Sequence, residues 1–141
     1  MTSINLNKYE GLWYEIAKYP FKWEVNCKNV TANYKNTGSK LLIKNSCIID
    51  NETIIRSGEG VAIDKFTFKI IFNDDLPSDG IGKYDIMYTD YINYSIVTSG
   101  KDHLWILCRR KQVTEEEYNL LLQIIKRVGY DTNKLVLNEL D

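Results

Sequence analysis

The 141-residue sequence contains few of the residues from which metal sites are built: one histidine and three cysteines. None of them stands at a spacing typical of a metal site, and no glycine-rich phosphate-binding loop is present. The formal net charge of -1 provides no basic field to attract nucleic acid. We therefore expect no metal, no cofactor and no nucleic-acid partner.

Long apolar runs are missing as well, and none approaches the ~20 residues of a membrane-spanning helix. The sequence predicts no transmembrane segment, and it leaves peripheral contact with a membrane open. The start of the chain lacks the basic and apolar stretches of a signal peptide. This pattern favours a cytoplasmic protein, or a secreted or periplasmic one if the N-terminus was trimmed. The length predicts a single domain over residues 1–141.

Alternation of apolar and polar residues dominates what remains. Turn signals interrupt it about every eight to twelve residues, which favours an all-β sandwich or barrel. We predict eight strands, near 12–18, 28–36, 40–49, 53–63, 66–72, 83–89, 94–99 and 104–109.

One helix follows the strands. Thr114 and Glu117 have the spacing of a capping box, and Gly129 supplies the stop. The apolar stripe between them predicts packing on the outside of the sheet, rather than a free surface for a partner; it comprises Tyr118, Leu121, Leu122, Ile125 and Val128. A last short strand at 135–137 is expected to pair with an edge.

Three notable segments converge if neighbouring strands are antiparallel. Trp13, beside Gly11, then starts the first strand at the bottom, Asp90 lies in the turn after the sixth strand, and Arg109 ends the eighth there. We expect Arg109 to lie over the Trp13 ring, a contact worth roughly 1–2 kcal/mol when partly desolvated. This cluster is interpreted as the structural base of a closed barrel, so Arg109→Ala should mainly lower stability.

The opposite end is predicted to be the mouth. The connection 19–27 reaches it and carries Phe21 and Trp23, which need a ligand or a packing partner to cover them. We interpret this segment as a lid. The acidic connection 73–82 lacks the ligand spacing of a calcium loop and is expected to be solvated.

Three motifs stand in order along the chain: Gly11-x-Trp13-Tyr14-Glu15-Ile16-Ala17, Thr89-Asp90-Tyr91 and Leu104-Trp105-Ile106-Leu107-x-Arg109. In this order and at these separations they resemble the signature regions of the lipocalins. The segments Val30-Thr31-Ala32-x-Tyr34 and Gly129-Tyr130-Asp131-x-x-Lys134-Leu135 are most similar to the bacterial outer-membrane, plant temperature-induced and apolipoprotein D group. The resemblance implies an all-β fold: an eight-stranded antiparallel up-and-down barrel with a C-terminal helix packed outside and a calyx for a small hydrophobic molecule. Cys108 departs from the Ser or Ala usual in these relatives.

Side-chain parity along the strands divides each strand into an inner and an outer face. A filled core without a cavity is the alternative, but the resemblance favours a ligand cavity. Aromatic walls with tyrosine hydroxyls suit an apolar ligand that bears one polar group. The predicted ligand-binding residues are Ala32, Tyr34, Phe68, Phe72, Tyr84, Ile86, Tyr88, Trp105 and Leu107.

Two cysteines are placed for a disulfide. A hairpin loop at Asn36-Thr37-Gly38, centred on Thr37, would set Cys27 opposite Cys47. Cross-strand neighbours lie within the range of Cα separations that a disulfide allows, and some bacterial relatives resemble this chain at both positions. A reduced pair of buried cysteines is the alternative, favoured if the protein is cytosolic. Cys108 is left unpaired in either case.

The resemblance implies a protein that binds and carries or sequesters a small hydrophobic molecule such as a fatty acid or lysophospholipid, without catalysis. One alternative is an enzyme of the isomerase type with a cavity cysteine. Another is a filled barrel that acts as a protein-interaction module. A homodimer is compatible with ligand binding.

Overall fold

The structure is a computed structural model and describes residues 4–20, 26–38, 40–72, 82–138 and 140. Its strands, in chain order, are β1 (Gly11–Lys18), β2 (Lys28–Asn36), β3 (Leu41–Ile49), β4 (Glu52–Ala62), β5 (Thr67–Phe72), β6 (Lys83–Thr89), β7 (Tyr94–Ser99), β8 (His103–Cys108) and β9 (Val136–Leu137). Two α-helices, α1 (Leu6–Tyr9) and α2 (Glu115–Arg127), and a short 3-10 helix, Thr132–Lys134, accompany them in the described residues. Each of the eight predicted strands is found, with bounds within about one residue of those expected.

The sheet closes through β1. Each of the strands β1 to β7 pairs antiparallel with the next, and β1 pairs with both β2 and β8. Closure satisfies the hydrogen-bonding groups of edges that would otherwise stay open. The predicted eight-stranded antiparallel barrel is confirmed, and β9 adds to it by pairing with Ala17 and Lys18.

The helix α2 packs on the outside of the barrel, as predicted. Thr114 caps it with a complete capping box to Glu117, and Leu121 and Ile125 are buried against outward-facing residues of β1, β7 and β8. The predicted stripe is wrong in its last member. Val128 is about half exposed because the helix has already ended there, at its C-cap.

The connection between β2 and β3 differs from the predicted three-residue loop. Asn36 pairs with Leu41, so four residues separate the strands rather than three. The backbone N–H of Thr37 donates to the Lys40 carbonyl, and the Thr37 hydroxyl accepts from the Lys40 N–H, which stabilises the longer turn. Gly38 has the expected left-handed backbone, with φ 94°.

Three β-bulges interrupt the alternation of side chains. They lie in β1 between Glu15 and Ala17, in β2 between Lys28 and Thr31, and in β6 between Ile86 and Tyr88. A bulge inserts an extra residue into one strand, so side chains beyond it change face. These bulges decide which residues enter the interior.

Candidate functional site

The base of the barrel is built around the guanidinium of Arg109. Its carbon lies 3.7 Å from the centre of the Trp13 ring, the cation–π contact expected from the sequence. Its nitrogens also donate to five backbone carbonyls, those of Lys8, Tyr9, Glu10, Leu12 and Tyr91, at 2.9–3.1 Å. One side chain thereby joins the N-terminal segment, β1 and the turn after β6.

The two other base residues predicted from the sequence are Gly11 and Asp90. They fix the conformation of the backbone near this cation. Gly11 has φ 108°, a conformation that favours glycine, and a Cβ there would lie only 3.1 Å from Arg109 Nη1. The Asp90 carboxylate accepts from the backbone N–H groups of Asn93 and Tyr94, both at 2.8 Å. The structure therefore brings Gly11, Trp13, Asp90 and Arg109 together.

The helix α1, which the sequence analysis missed, completes the base. Tyr9 is buried among Trp13 and Tyr34, and its hydroxyl lies 2.7 Å from the Ser95 hydroxyl. Burial raises the pKa of Tyr9, so the phenol is neutral. Asn5, whose side chain accepts from the Lys8 N–H, was the available sequence signal for this helix.

The inner wall contains eight of the nine residues predicted to bind a ligand. Seven belong to one buried interior cluster and Phe72 packs against it; the seven are Ala32, Tyr34, Phe68, Tyr84, Ile86, Trp105 and Leu107. Burial raises the pKa of Tyr34 well above its ordinary value, and its phenol is therefore also neutral.

Tyr88 was wrongly assigned to this wall. The bulge in β6 between Ile86 and Tyr88 shifts the register by one residue, so Tyr88 does not share the inner face of Ile86. It packs instead with the outer cluster beneath α2. Nothing in the local sequence marks the bulge.

Sequence analysis also missed a set of buried polar residues near the mouth. Lys18 lies opposite Trp105 on the neighbouring strand, and Glu15 opposite Leu107, and directly paired residues share a face. Both side chains are therefore on the inner face, as is His103, whose ring stacks on Trp105 at 5.9 Å between centres. The change of face at the β1 bulge hid Lys18, because simple alternation would have placed it outside.

Arg56 is the second inward cation. It is only 3% exposed, and its guanidinium carbon lies 3.9 Å above the centre of the Phe72 ring. On the same strand it shares parity with Gly58 and Gly60, where a Cβ would lie 2.8 Å from the Ile71 carbonyl oxygen and 3.1 Å from Ile70 Cδ1 respectively. The alternate positions of Arg56, Gly58 and Gly60 were the sequence signal that Arg56 lies on a closely packed inner face.

The Glu15 carboxylate is held in place by the end of the chain. Asn138 Nδ2 donates to Glu15 Oε2 at 2.6 Å and to the Glu15 carbonyl at 3.0 Å. The Asn138 N–H donates to the Ile16 carbonyl at 2.9 Å, which continues the pairing of β9 with β1. Among the described residues, the buried charged side chains are Glu15, Lys18 and Arg56, with a net formal charge of one positive.

The predicted disulfide between Cys27 and Cys47 is confirmed, with the Cα atoms 5.4 Å apart. The reasoning from the hairpin centre was nevertheless wrong. Thr31 pairs with Ser46, which is a different register from the predicted one. The β2 bulge lies between this pair and Cys27. Cys108 is free and buried in the outer cluster beneath α2, so none of the three cysteines is a free thiol on the inner wall.

The predicted lid residues Phe21 and Trp23, and most of the acidic connection 73–82, lie outside the described residues. In the described part of the chain, no cluster of three or more side chains could hold a metal ion. None of the helices in that part is both long and apolar enough to cross a membrane.

The geometry and the motifs agree with the comparisons to known proteins. The family model described as a lipocalin-like domain matches residues 4–139. The chain belongs to the lipocalin family. The resemblance inferred from the three motifs is thereby confirmed.

Individual lipocalins show how far the likeness extends. The chain is 34% identical to a putative lipocalin, R877, of Acanthamoeba polyphaga mimivirus, over 97% of this chain and 85% of the relative. It is 28% identical to apolipoprotein D of Cavia porcellus, over 97% of this chain and 77% of the relative. Insecticyanin from the tobacco hornworm Manduca sexta shares the fold with a TM-score of 0.79 at 22% identity, over 100% of this chain and 83% of that chain. Lipocalins generally bind small hydrophobic ligands, and most are not enzymes.

Proposed function

We propose that this lipocalin binds, and carries or sequesters, a lipid with a single acyl chain and an anionic head group. The observation that carries the proposal is the division of the inner wall into two bands. Aromatic and aliphatic side chains form the lower wall above Trp13, whereas Lys18 and Arg56 are buried near the mouth. A fatty acid or a lysophospholipid has the same division between tail and head.

The inward charges favour an anionic head over a neutral one. Lys18 and Arg56 are buried on the inner wall, and ammonium and guanidinium groups bind carboxylates and phosphates through charge-assisted hydrogen bonds. An anionic head near Arg56 would accept such bonds, and the tail would then extend toward Trp13 in the apolar base. Charge-assisted hydrogen bonds of this kind contribute about 1.5–3 kcal/mol.

The proposal is tested by comparing a carboxylate with an alcohol of the same chain length. Calorimetric titration of the delipidated protein with palmitate and with hexadecanol should show roughly tenfold tighter binding of palmitate. Arg56→Gln should remove this preference. The matched control is Lys44→Gln, which loses the same charge from an exposed position on the neighbouring strand. Equal affinities for both molecules in the wild type would overturn the anionic head group, and failure to bind either would overturn lipid binding.

Trp105 provides a separate test of where the ligand lies. Its ring contacts Tyr84, at 5.3 Å between centres, and His103, and forms part of the inner wall. We expect Trp105→Ala to weaken palmitate binding by roughly tenfold or more because a large apolar contact is lost, and Trp105→Phe to weaken it less. Calorimetry on variants with native circular dichroism measures this. An unchanged affinity in folded Trp105→Ala would exclude this residue from the pocket.

The two alternatives receive less support. An isomerase with a cavity cysteine needs a free thiol inside the barrel, but Cys27 and Cys47 are bridged and Cys108 lies outside. A filled barrel that acts through its surface gives no reason to bury Lys18 and Arg56 on the inner wall.

A further inference from the structure

A groove on the outside of the barrel lies beside α2 and has no role in the calyx. Its volume is about 290 Å³, and its lining includes Tyr88 and Tyr94 from the sheet and Glu117, Leu120, Ile124 and Arg127 from the helix. Leu120 at its rim is 60% exposed. An apolar surface groove rimmed by charged residues is typical of sites that associate with another protein.

The helix residues along this groove form a symmetric pattern. Glu117, Leu120, Ile124 and Arg127 follow one another at spacings of three, four and three, so they lie along one face of α2. Read from either end, the order is a charge, two apolar residues and the opposite charge. Such a face is complementary to itself when the second helix runs antiparallel.

We propose that this face is the interface of a homodimer with two-fold symmetry. A two-fold axis that crosses α2 at its middle places Leu120 against Ile124 of a second copy and Glu117 against Arg127 of that copy. The same contacts recur on the other side of the axis, as an isologous interface requires. Leu120 of each copy then covers the groove of the other.

The charges on this face of α2 support the antiparallel arrangement. The first turn of the face carries Glu117 and the last turn carries Arg127. Antiparallel packing therefore brings opposite charges and opposite ends of the helix dipoles together, whereas parallel packing would oppose like charges. The Glu117 carboxylate is also fixed in position, because it binds Arg110 Nη2 at 2.6 Å and closes the capping box.

Sedimentation velocity over a concentration series, from about 5 µM to about 500 µM, tests the proposal with the full chain, since interfaces of modest area associate in the micromolar range or weaker. We expect the wild type to dimerise within this range. Arg127→Glu should raise the dissociation constant of the dimer at least tenfold. The substituted side chain would face Glu117 of the other copy, and this repulsion would occur on both sides of the two-fold axis. Leu120→Glu should leave the protein monomeric.

Two matched controls separate this interface from general charge effects. Lys126→Glu makes the same charge change as Arg127→Glu on the opposite side of the helix, and Asn119→Glu adds the same charge as Leu120→Glu at an exposed neighbour. Both should dimerise like the wild type. A monomeric wild type throughout the series, or a dimer equally sensitive to Lys126→Glu and Arg127→Glu, would overturn the proposal. So would a monomer that floats with phospholipid vesicles in a Leu120-dependent manner, which would assign the face to a membrane surface.

Discussion

Arg109→Ala is expected to lower the free energy of unfolding by about 4 kcal/mol. The guanidinium supplies hydrogen bonds to five backbone carbonyls and covers the face of Trp13. Removal of a charged donor leaves partly buried acceptors unsatisfied, at about 1–3 kcal/mol each before relaxation. Water can enter at the partly exposed end, so the total stays below the sum of these costs.

The neighbouring Arg110 is the matched control for this experiment. Its ion pair with Glu117 lies at the surface, where side chains that are 49% and 22% exposed gain little from pairing. Urea unfolding followed by circular dichroism should therefore show a loss below about 1 kcal/mol for Arg110→Ala. If Arg109→Ala were no more destabilising than Arg110→Ala, the base would not depend on this cation.

Arg109 also shows how a structural residue is distinguished from a binding residue. Its contacts lie at the closed end of the barrel, whereas Lys18 and Arg56 lie toward the mouth. Folded Arg109→Ala protein should consequently bind palmitate with an affinity close to that of the wild type. Arg56→Gln should instead change affinity more than it changes stability.

The sequence predicts the architecture well because alternation and turn residues report directly on strands. Residues such as Trp13 and Arg109 could be placed at the same end from strand direction alone, since an up-and-down barrel alternates direction strictly. The capping box at Thr114 is likewise a local signal with a local cause. These features depend on neighbours in sequence or on a simple count of strands.

The inner wall is less predictable because single-residue bulges control it. Tyr88 was placed inside by parity and lies outside, and Lys18 is inside against parity, each because of one bulge. A bulge depends on how two strands fit together across the sheet, which short sequence patterns do not record. Among the polar residues of the upper wall, only Lys18 was hidden by a bulge, whereas Glu15 and Arg56 follow the simple alternation of their strands.

The cysteines illustrate a correct conclusion with an incorrect cause. The bridge between Cys27 and Cys47 was expected from a register that the β2–β3 hairpin does not have. In the structure Cys27 precedes β2, and the bulge between Lys28 and Thr31 brings it near Cys47 on β3. The covalent bond thus joins the residue before β2 to β3, next to the point where the regular pairing of these strands is interrupted.

Reduction of this disulfide is expected to lower the free energy of unfolding by about 3 kcal/mol. The cysteines are 20 residues apart in sequence, and closing a loop of that length removes about this much chain entropy from the unfolded state. For a protein of this size the loss corresponds to roughly 10 °C in Tm. Thermal unfolding with and without dithiothreitol measures it.

The double variant Cys27→Ala/Cys47→Ala identifies which thiols respond. It should unfold like the reduced wild type and should be insensitive to dithiothreitol, because Cys108 has no partner with which to form a second bridge within the chain. A double variant that still responds to the reductant would assign the effect to something other than this bridge. A wild type that is indifferent to reduction would show that hydrogen bonds and packing alone hold the start of β2 against β3. With the expected result, the protein gains its full stability only where disulfides persist, so an oxidising compartment suits it better than a reducing one.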